Sequence, residues 1–136
     1  MTNIITPLVH GLVFNNAGQF LILKRAKQDK TSANVWELPG GALKDNESVI
    51  DGLIRTVQDS CGLAVEIKNK QPIYSSSAEE DVQEFRDIVF VAKRIANDIS
   101  PDTAVRDESA WVTFYELANY DLADYLSECV RQIFEE

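Results

Sequence analysis

At 136 residues, with 45% hydrophobic and 26% charged positions, the chain has the size and composition of a folded domain, which excludes the low-apolar, high-charge pattern of disorder. Its formal charge of −9 disfavours a nucleic acid polymer as partner, because that affinity comes from lysine and arginine neutralising phosphates. No apolar run reaches the roughly 20 residues that span a bilayer, and the N-terminus lacks a signal-peptide pattern; a cytoplasmic setting with no membrane partner is expected, with Cys61 and Cys129 as reduced thiols.

In chain order, Leu8 to Phe14 and Phe20 to Lys24 are rich in strand formers, and Asn15-Asn16-Ala17-Gly18 between them tolerates positive φ, so the pair reads as a hairpin. A polar connection from Ala26 to Asn34 leads to a short strand at Val35-Trp36-Glu37-Leu38, stopped by Pro39-Gly40-Gly41. From Glu47 to Cys61 the apolar residues recur at about 100° per residue. That periodicity predicts a helix burying Leu53, Ile54 and Val57 and turning Asp51, Arg55 and Asp59 to solvent or to a cleft. Asn46 or Asp45 is the candidate N-cap and Gly62 the candidate C-cap; Gly52 inside the helix is expected to weaken it by about 1 kcal/mol relative to alanine.

Beyond the helix, Val65 to Tyr74 and Phe85 to Ile95 read as long strands with Glu79-Glu80-Asp81 between them, and Trp111-Val112 as a short one. Glu116 to Asn119 suggests a helical turn, and Leu122, Tyr125, Leu126, Cys129, Val130, Ile133 and Phe134 repeat at helical spacing to the end. With no repeat or linker, residues 1–136 read as a single domain.

Gly41 to Leu63 resembles the Nudix box: a glycine, five residues, a glutamate, seven residues, then Arg-Glu-U-x-Glu-Glu-x-Gly-U with U apolar. Gly41, Glu47, Arg55, Val57, Gly62 and Leu63 fall in register, and Trp36-Glu37-Leu38-Pro39-Gly40-Gly41 looks like the family's approach to the box. Leu23-Lys24-Arg25 and Glu108-Ser109-Ala110-Trp111-Val112 resemble its flanking strands. The resemblance implies an α/β fold, a Nudix-type α/β/α sandwich with a mixed β-sheet. It also implies Mg²⁺- or Mn²⁺-dependent hydrolysis of a diphosphate linkage in a nucleoside diphosphate derivative. The alternative is a non-catalytic module that binds a nucleotide or a related phosphate-containing metabolite. A homodimer is compatible with either.

The family's metal-binding carboxylates converge from helix positions i, i+3 and i+4. Those positions here are Thr56, Asp59 and Ser60, so one carboxylate of three remains. Hydroxyls are poor replacements as Mg²⁺ ligands, and a threonine hydroxyl is no base near neutral pH. Asp59 is the candidate catalytic and metal residue, or one rung of an Asp51, Arg55, Asp59 charge ladder. Arg55 reads as a site-supporting or ladder residue, and Glu47 as its ion-pair partner or a metal ligand. Glu108, then Asp107, Glu84 and the Glu79-Glu80-Asp81 cluster, are candidates for a compensating ligand or base. Arg25, Gly40, Gly41 and Glu37 are candidate substrate-binding residues, Arg25 through its planar guanidinium or else as one member of a surface ion pair. The lone His10 reads as a core or cleft-wall histidine, and Trp36 and Trp111 as packing residues.

Overall fold

The computed structural model describes residues 4–25, 34–76, 78–80, 83–96 and 106–134. Of the expected connection from Ala26 to Asn34, residues 26–33 lie outside that set.

Strand β1 (Ile4–Phe14) runs through the middle of a mixed sheet. It reaches β2 (Phe20–Arg25) through the Asn15 turn, whose Oδ1 accepts from the Ala17 and Gln19 amides at 3.0 Å each. The hairpin turn is therefore as expected, but β1 and β2 pair only at Phe14 and Phe20. β2 then leaves to pair with β3 (Trp36–Glu37) and with β9 (Arg106–Val112), while β1 takes β4 (Gly40–Ala42) antiparallel and β8 (Gln83–Ala96) parallel along its whole length. The mixed sheet follows from that one parallel pairing.

The expected strand from Val65 to Tyr74 is split into β5 (Ala64–Glu66) and β6 (Tyr74–Ser75), both antiparallel to β8. Between them Asn69 Oδ1 accepts from the Gln71 amide at 3.0 Å, and Pro72 offers no N–H to a ladder. β7 (Ala78–Glu80) also pairs with β8. β9 is longer than the two residues expected, and Phe114–Asn119 forms a 3-10 turn.

Helix α1 (Val49–Cys61) starts at Ser48, whose Oγ accepts from the Asp51 amide at 3.1 Å. Asn46, one of the expected caps, instead adopts φ 64° in the preceding turn. Gly62 closes the helix as expected, in the left-handed conformation with its N–H on the Gln58 carbonyl. Helix α2 (Asp124–Phe134) begins after Leu122, which forms an isolated parallel bridge with Trp36. Among the described residues no helix is long and apolar enough to cross a membrane.

Alternation along the strands divides the core in two. Val9, Val13, Leu21 and Leu23 pack with Leu53, Val57 and Cys61 of α1, whereas Leu12, Phe20 and Ile22 pack with Leu126 and Cys129 of α2. The two helices thus cover opposite sides, which is the expected sandwich. Ile54 is half-buried rather than buried; the inward stripe of α1 is Gly52, Leu53, Thr56, Val57, Ser60 and Cys61. Leu53 is fully buried, so Leu53→Ala should cost about 2–5 kcal/mol in urea unfolding. A change near zero would contradict the packing of α1 on the sheet.

Candidate functional site

The segment from Gly40 to Ser48 is laid between β1 and the start of α1. Gly40 pairs with His10 at φ 152°, and a Cβ built there would stand 2.0 Å from the Val9 carbonyl oxygen. Any side chain would displace the β1 backbone, so glycine is required. Gly11 N–H donates to the Pro39 carbonyl at 2.9 Å and Leu43 N–H to the Pro7 carbonyl at 3.2 Å, tying both ends of β4 to β1.

Arg55 then fastens this loop to the helix. Its Nε donates to Glu47 Oε2 at 2.6 Å, Nη2 donates to Glu47 Oε1 at 2.9 Å and to the Ala42 carbonyl at 3.0 Å, and Nη1 donates to Asp59 Oδ2 at 3.1 Å. The parallel bonds to Glu47 use the fork geometry of the guanidinium, which a lysine could not reproduce. The same Glu47 Oε1 accepts from the Lys44 amide at 3.0 Å. Bonds from Arg55, and then from the Lys44 backbone, bring the Glu47 carboxyl down to a pKa of about 2, and the Arg55 pKa is raised chiefly by the bond to Glu47.

Gly52 belongs to this arrangement. An alanine Cβ there would lie 2.1 Å from Leu43 Cδ2 and 2.9 Å from Glu47 Oε1. The glycine read from sequence as a weak point in α1 is what lets Leu43 and the clasped Glu47 lie against the helix. An alanine could not realise its propensity advantage without moving them.

The three positions equivalent to the family's helix carboxylates do not share one environment. The Asp59 side chain is 67% exposed and paired with Arg55 in the i, i+4 ladder. Thr56 is 4% exposed, its Oγ1 donating to the Leu53 carbonyl at 3.1 Å; Ser60 is 9% exposed, its Oγ donating to the Val57 carbonyl at 3.2 Å. Both hydroxyls are spent on their own helix. Thr56 also packs beneath the loop, its Cγ2 standing 3.4 Å from where a Gly41 Cβ would be.

The remaining candidates fall into separate pairs. Arg25 stands with Nε 2.8 Å from Glu37 Oε2, and its Nη2 donates to Glu37 Oε1 at 3.3 Å; Glu37 is buried. Of the two readings open for Arg25, phosphate ligand or ion-pair partner, the geometry is that of an ion pair, made with a buried carboxylate rather than at the surface. Glu108 of β9 accepts from Lys24 Nζ at 2.7 Å across the β2–β9 register rather than joining the Arg55 cluster. The side chains of Asp107, Glu84, Glu79, Glu80 and Asp81 lie outside the described set. Trp111 packs half-buried against the α1 side of the core, and Trp36 meets Tyr120 edge-on at 4.9 Å. His10 is buried, as a core histidine should be. Sequence reasoning missed the Ala42 carbonyl and the Lys44 amide, since backbone groups leave no side-chain signal. It also missed Tyr125 as a polar partner of the loop, because its spacing reads only as helix packing.

The Nudix domain profile matches residues 6–133, and the chain belongs to the Nudix family. It is 32% identical over 109 residues to the uncharacterized Nudix hydrolase lin0387 of Listeria innocua, covering 79% of this chain and 61% of that protein. It is 24% identical over 102 residues to the 8-oxo-dGDP phosphatase NUDT18 of Danio rerio, covering 75% of this chain and 29% of that protein. The chain thus spans less than two thirds of the length of these curated relatives. The MutT protein of Methanosarcina mazei Go1 superposes with a TM-score of 0.82 at 23% identity, covering 99% of this chain and 96% of that one, a likeness of fold.

Nudix enzymes generally use a divalent metal ion. Among the described residues the donor set does not fit one. Two of the three helix positions are buried hydroxyls bonded to carbonyls, and Glu47 and Asp59 share the Arg55 cation. Among the described residues no three His, Cys, Asp or Glu side chains are grouped to hold a metal ion.

The clasp makes a pH prediction. Glu47 has a folded pKa of about 2, below the ordinary value of 4.5, so its contribution to stability is complete above about 4.5 and is lost as pH falls toward about 2. Acid unfolding followed by circular dichroism should show that part of the titration removed in Glu47→Gln. Superimposable acid transitions in parent and variant would count against the clasp.

Proposed function

We propose that this chain uses the Nudix fold to bind a nucleoside diphosphate derivative and hydrolyses the diphosphate link far more slowly than a family member with all three helix carboxylates. The observation that carries this reading is the turning of Thr56 and Ser60 into their own helix while Arg55 keeps the loop fastened to α1. The scaffold that presents the loop is retained, whereas the carboxylates that would recruit a cation are reduced to one helix residue already paired with arginine. Exposed Lys44 on the same loop supplies a positive charge suited to a phosphate oxygen. The activity named for the Danio rerio relative, a phosphatase of 8-oxo-dGDP, supports a nucleoside diphosphate as the ligand class.

A second reading, hydrolysis served by a carboxylate from β9, is favoured by the exposure of Glu108 beside Lys24. The experiment is a panel of GDP, 8-oxo-dGDP, ADP, UDP-glucose and diadenosine tetraphosphate, each tested with Mg²⁺ and with EDTA for thermal shift and product release. At least one compound should raise Tm in EDTA as well as in Mg²⁺. Product release should stay about a hundredfold or more below that of a member with a full ligand set. Turnover at the rate of such a member overturns the reading, and loss of that turnover in Glu108→Gln would establish the second one.

A further inference from the structure

His10 is 4% exposed, yet it brings two polar nitrogens into the sheet. Nε2 lies 2.9 Å from Asp87 Oδ1, close to its place in the parallel β1–β8 register. Nδ1 is buried and has no hydrogen-bond partner among the described residues. Such an atom gives up its hydration and gains no bond in return. An apolar ring would fill the same space without that cost, so packing alone does not account for a histidine at this position.

The other face of the constellation points to what the histidine does. Its ring lies on Tyr125 of α2 with centroids 4.0 Å apart and an interplanar angle of 17°. Tyr125 Oη accepts from the Leu38 amide at 2.9 Å. Leu38 follows the last residue of β3 and precedes Pro39, which has no N–H, so this amide stands where ladder pairing ends and the Pro39-Gly40-Gly41 turn begins. Asp87 is fixed in turn by reciprocal backbone bonds with Ser76, at 2.9 and 3.1 Å. The start of α2 is tied to the same strand, since Trp36 N–H donates to the Asp121 carbonyl and Ala123 N–H to the Trp36 carbonyl, each at 2.8 Å.

We propose that Tyr125 is a positioning residue for the Nudix loop, held in orientation by the His10–Asp87 pair, so that α2 as well as α1 sets where Gly40 and Gly41 lie. The claim that this affects ligand binding rests on the proposed function; the claim about the loop does not. Arg55 secures the loop at Ala42, and Tyr125 secures it at Leu38.

The test compares the parent chain with Tyr125→Phe, which keeps the ring on His10 and removes only the hydroxyl, and with Asp87→Asn, which weakens the hold on His10. Residue-resolved amide exchange by NMR should show the Leu38 amide exchanging about tenfold faster in Tyr125→Phe, the size expected for one lost hydrogen bond. Gly40 and Gly41 should follow, while amides in the middle of β8 stay unchanged. Asp87→Asn should move the same amides in the same direction. ADP, titrated calorimetrically, should bind more weakly to Tyr125→Phe although the variant remains folded, a change that a purely structural tyrosine would not produce. Unchanged exchange at Leu38 overturns the positioning claim, and faster exchange with unaltered ADP affinity overturns its bearing on binding. If the parent binds no nucleotide, the proposed function fails, and the exchange comparison alone decides the loop claim.

Discussion

Arg55 brings a permanent positive charge into the angle between the loop and helix α1, where Glu47, Asp59 and the Ala42 carbonyl converge on it. The local arrangement depends on that convergence. Glu47 can approach because position 52 is glycine, and the loop can lie on β1 because position 40 is glycine. The pair is only partly buried, with Arg55 and Glu47 side chains 27% and 15% exposed, so its value lies in geometry more than in Coulomb energy. Two parallel bonds and a carbonyl contact from one rigid guanidinium fix the loop's distance from the helix.

The same cation already holds the two carboxylates that survive on the loop and the outer face of α1. A divalent ion at this position would have to compete with Arg55 for both Glu47 and Asp59, and it would find hydroxyls already bonded to helix carbonyls in place of two more acids. Thr56 and Ser60 join Leu53, Val57 and Cys61 in one buried stripe, so a face that carries ligands elsewhere in the family here serves packing. Placing carboxylates at both positions would bury charge before it restored a site.

Much of this was legible in the sequence because it is periodic or local. The stripe through Leu53 and Val57 gave α1, Gly62 its end, and the Asn15 to Gly18 run its turn. The family pattern located Glu47 and Arg55, whose pairing was one of the readings open from residue spacing. What was not legible depended on partners remote in sequence. No pattern in β1 reveals that it leaves β2 after one residue pair to lie parallel to β8. Gly52 reads as a defect until Leu43 and Glu47 are seen against it. Arg25 reads equally as a phosphate ligand or a surface ion-pair residue until Glu37 is found buried beside it. The inward rotation of Thr56 and Ser60 was masked because polar residues are counted to the outer face by default, although a hydroxyl that bonds its own helix carbonyl can be buried at little cost.

Whether the site formed by the loop and α1 takes a divalent cation is decided by Mn²⁺ titration of the ligand-free protein, followed by electron paramagnetic resonance of the free ion. Free Mn²⁺ should rise with total Mn²⁺ as in a protein-free control, with no stoichiometric site and no difference between parent and Asp59→Ala. One tightly bound equivalent that disappears in Asp59→Ala or in Glu47→Gln would contradict it.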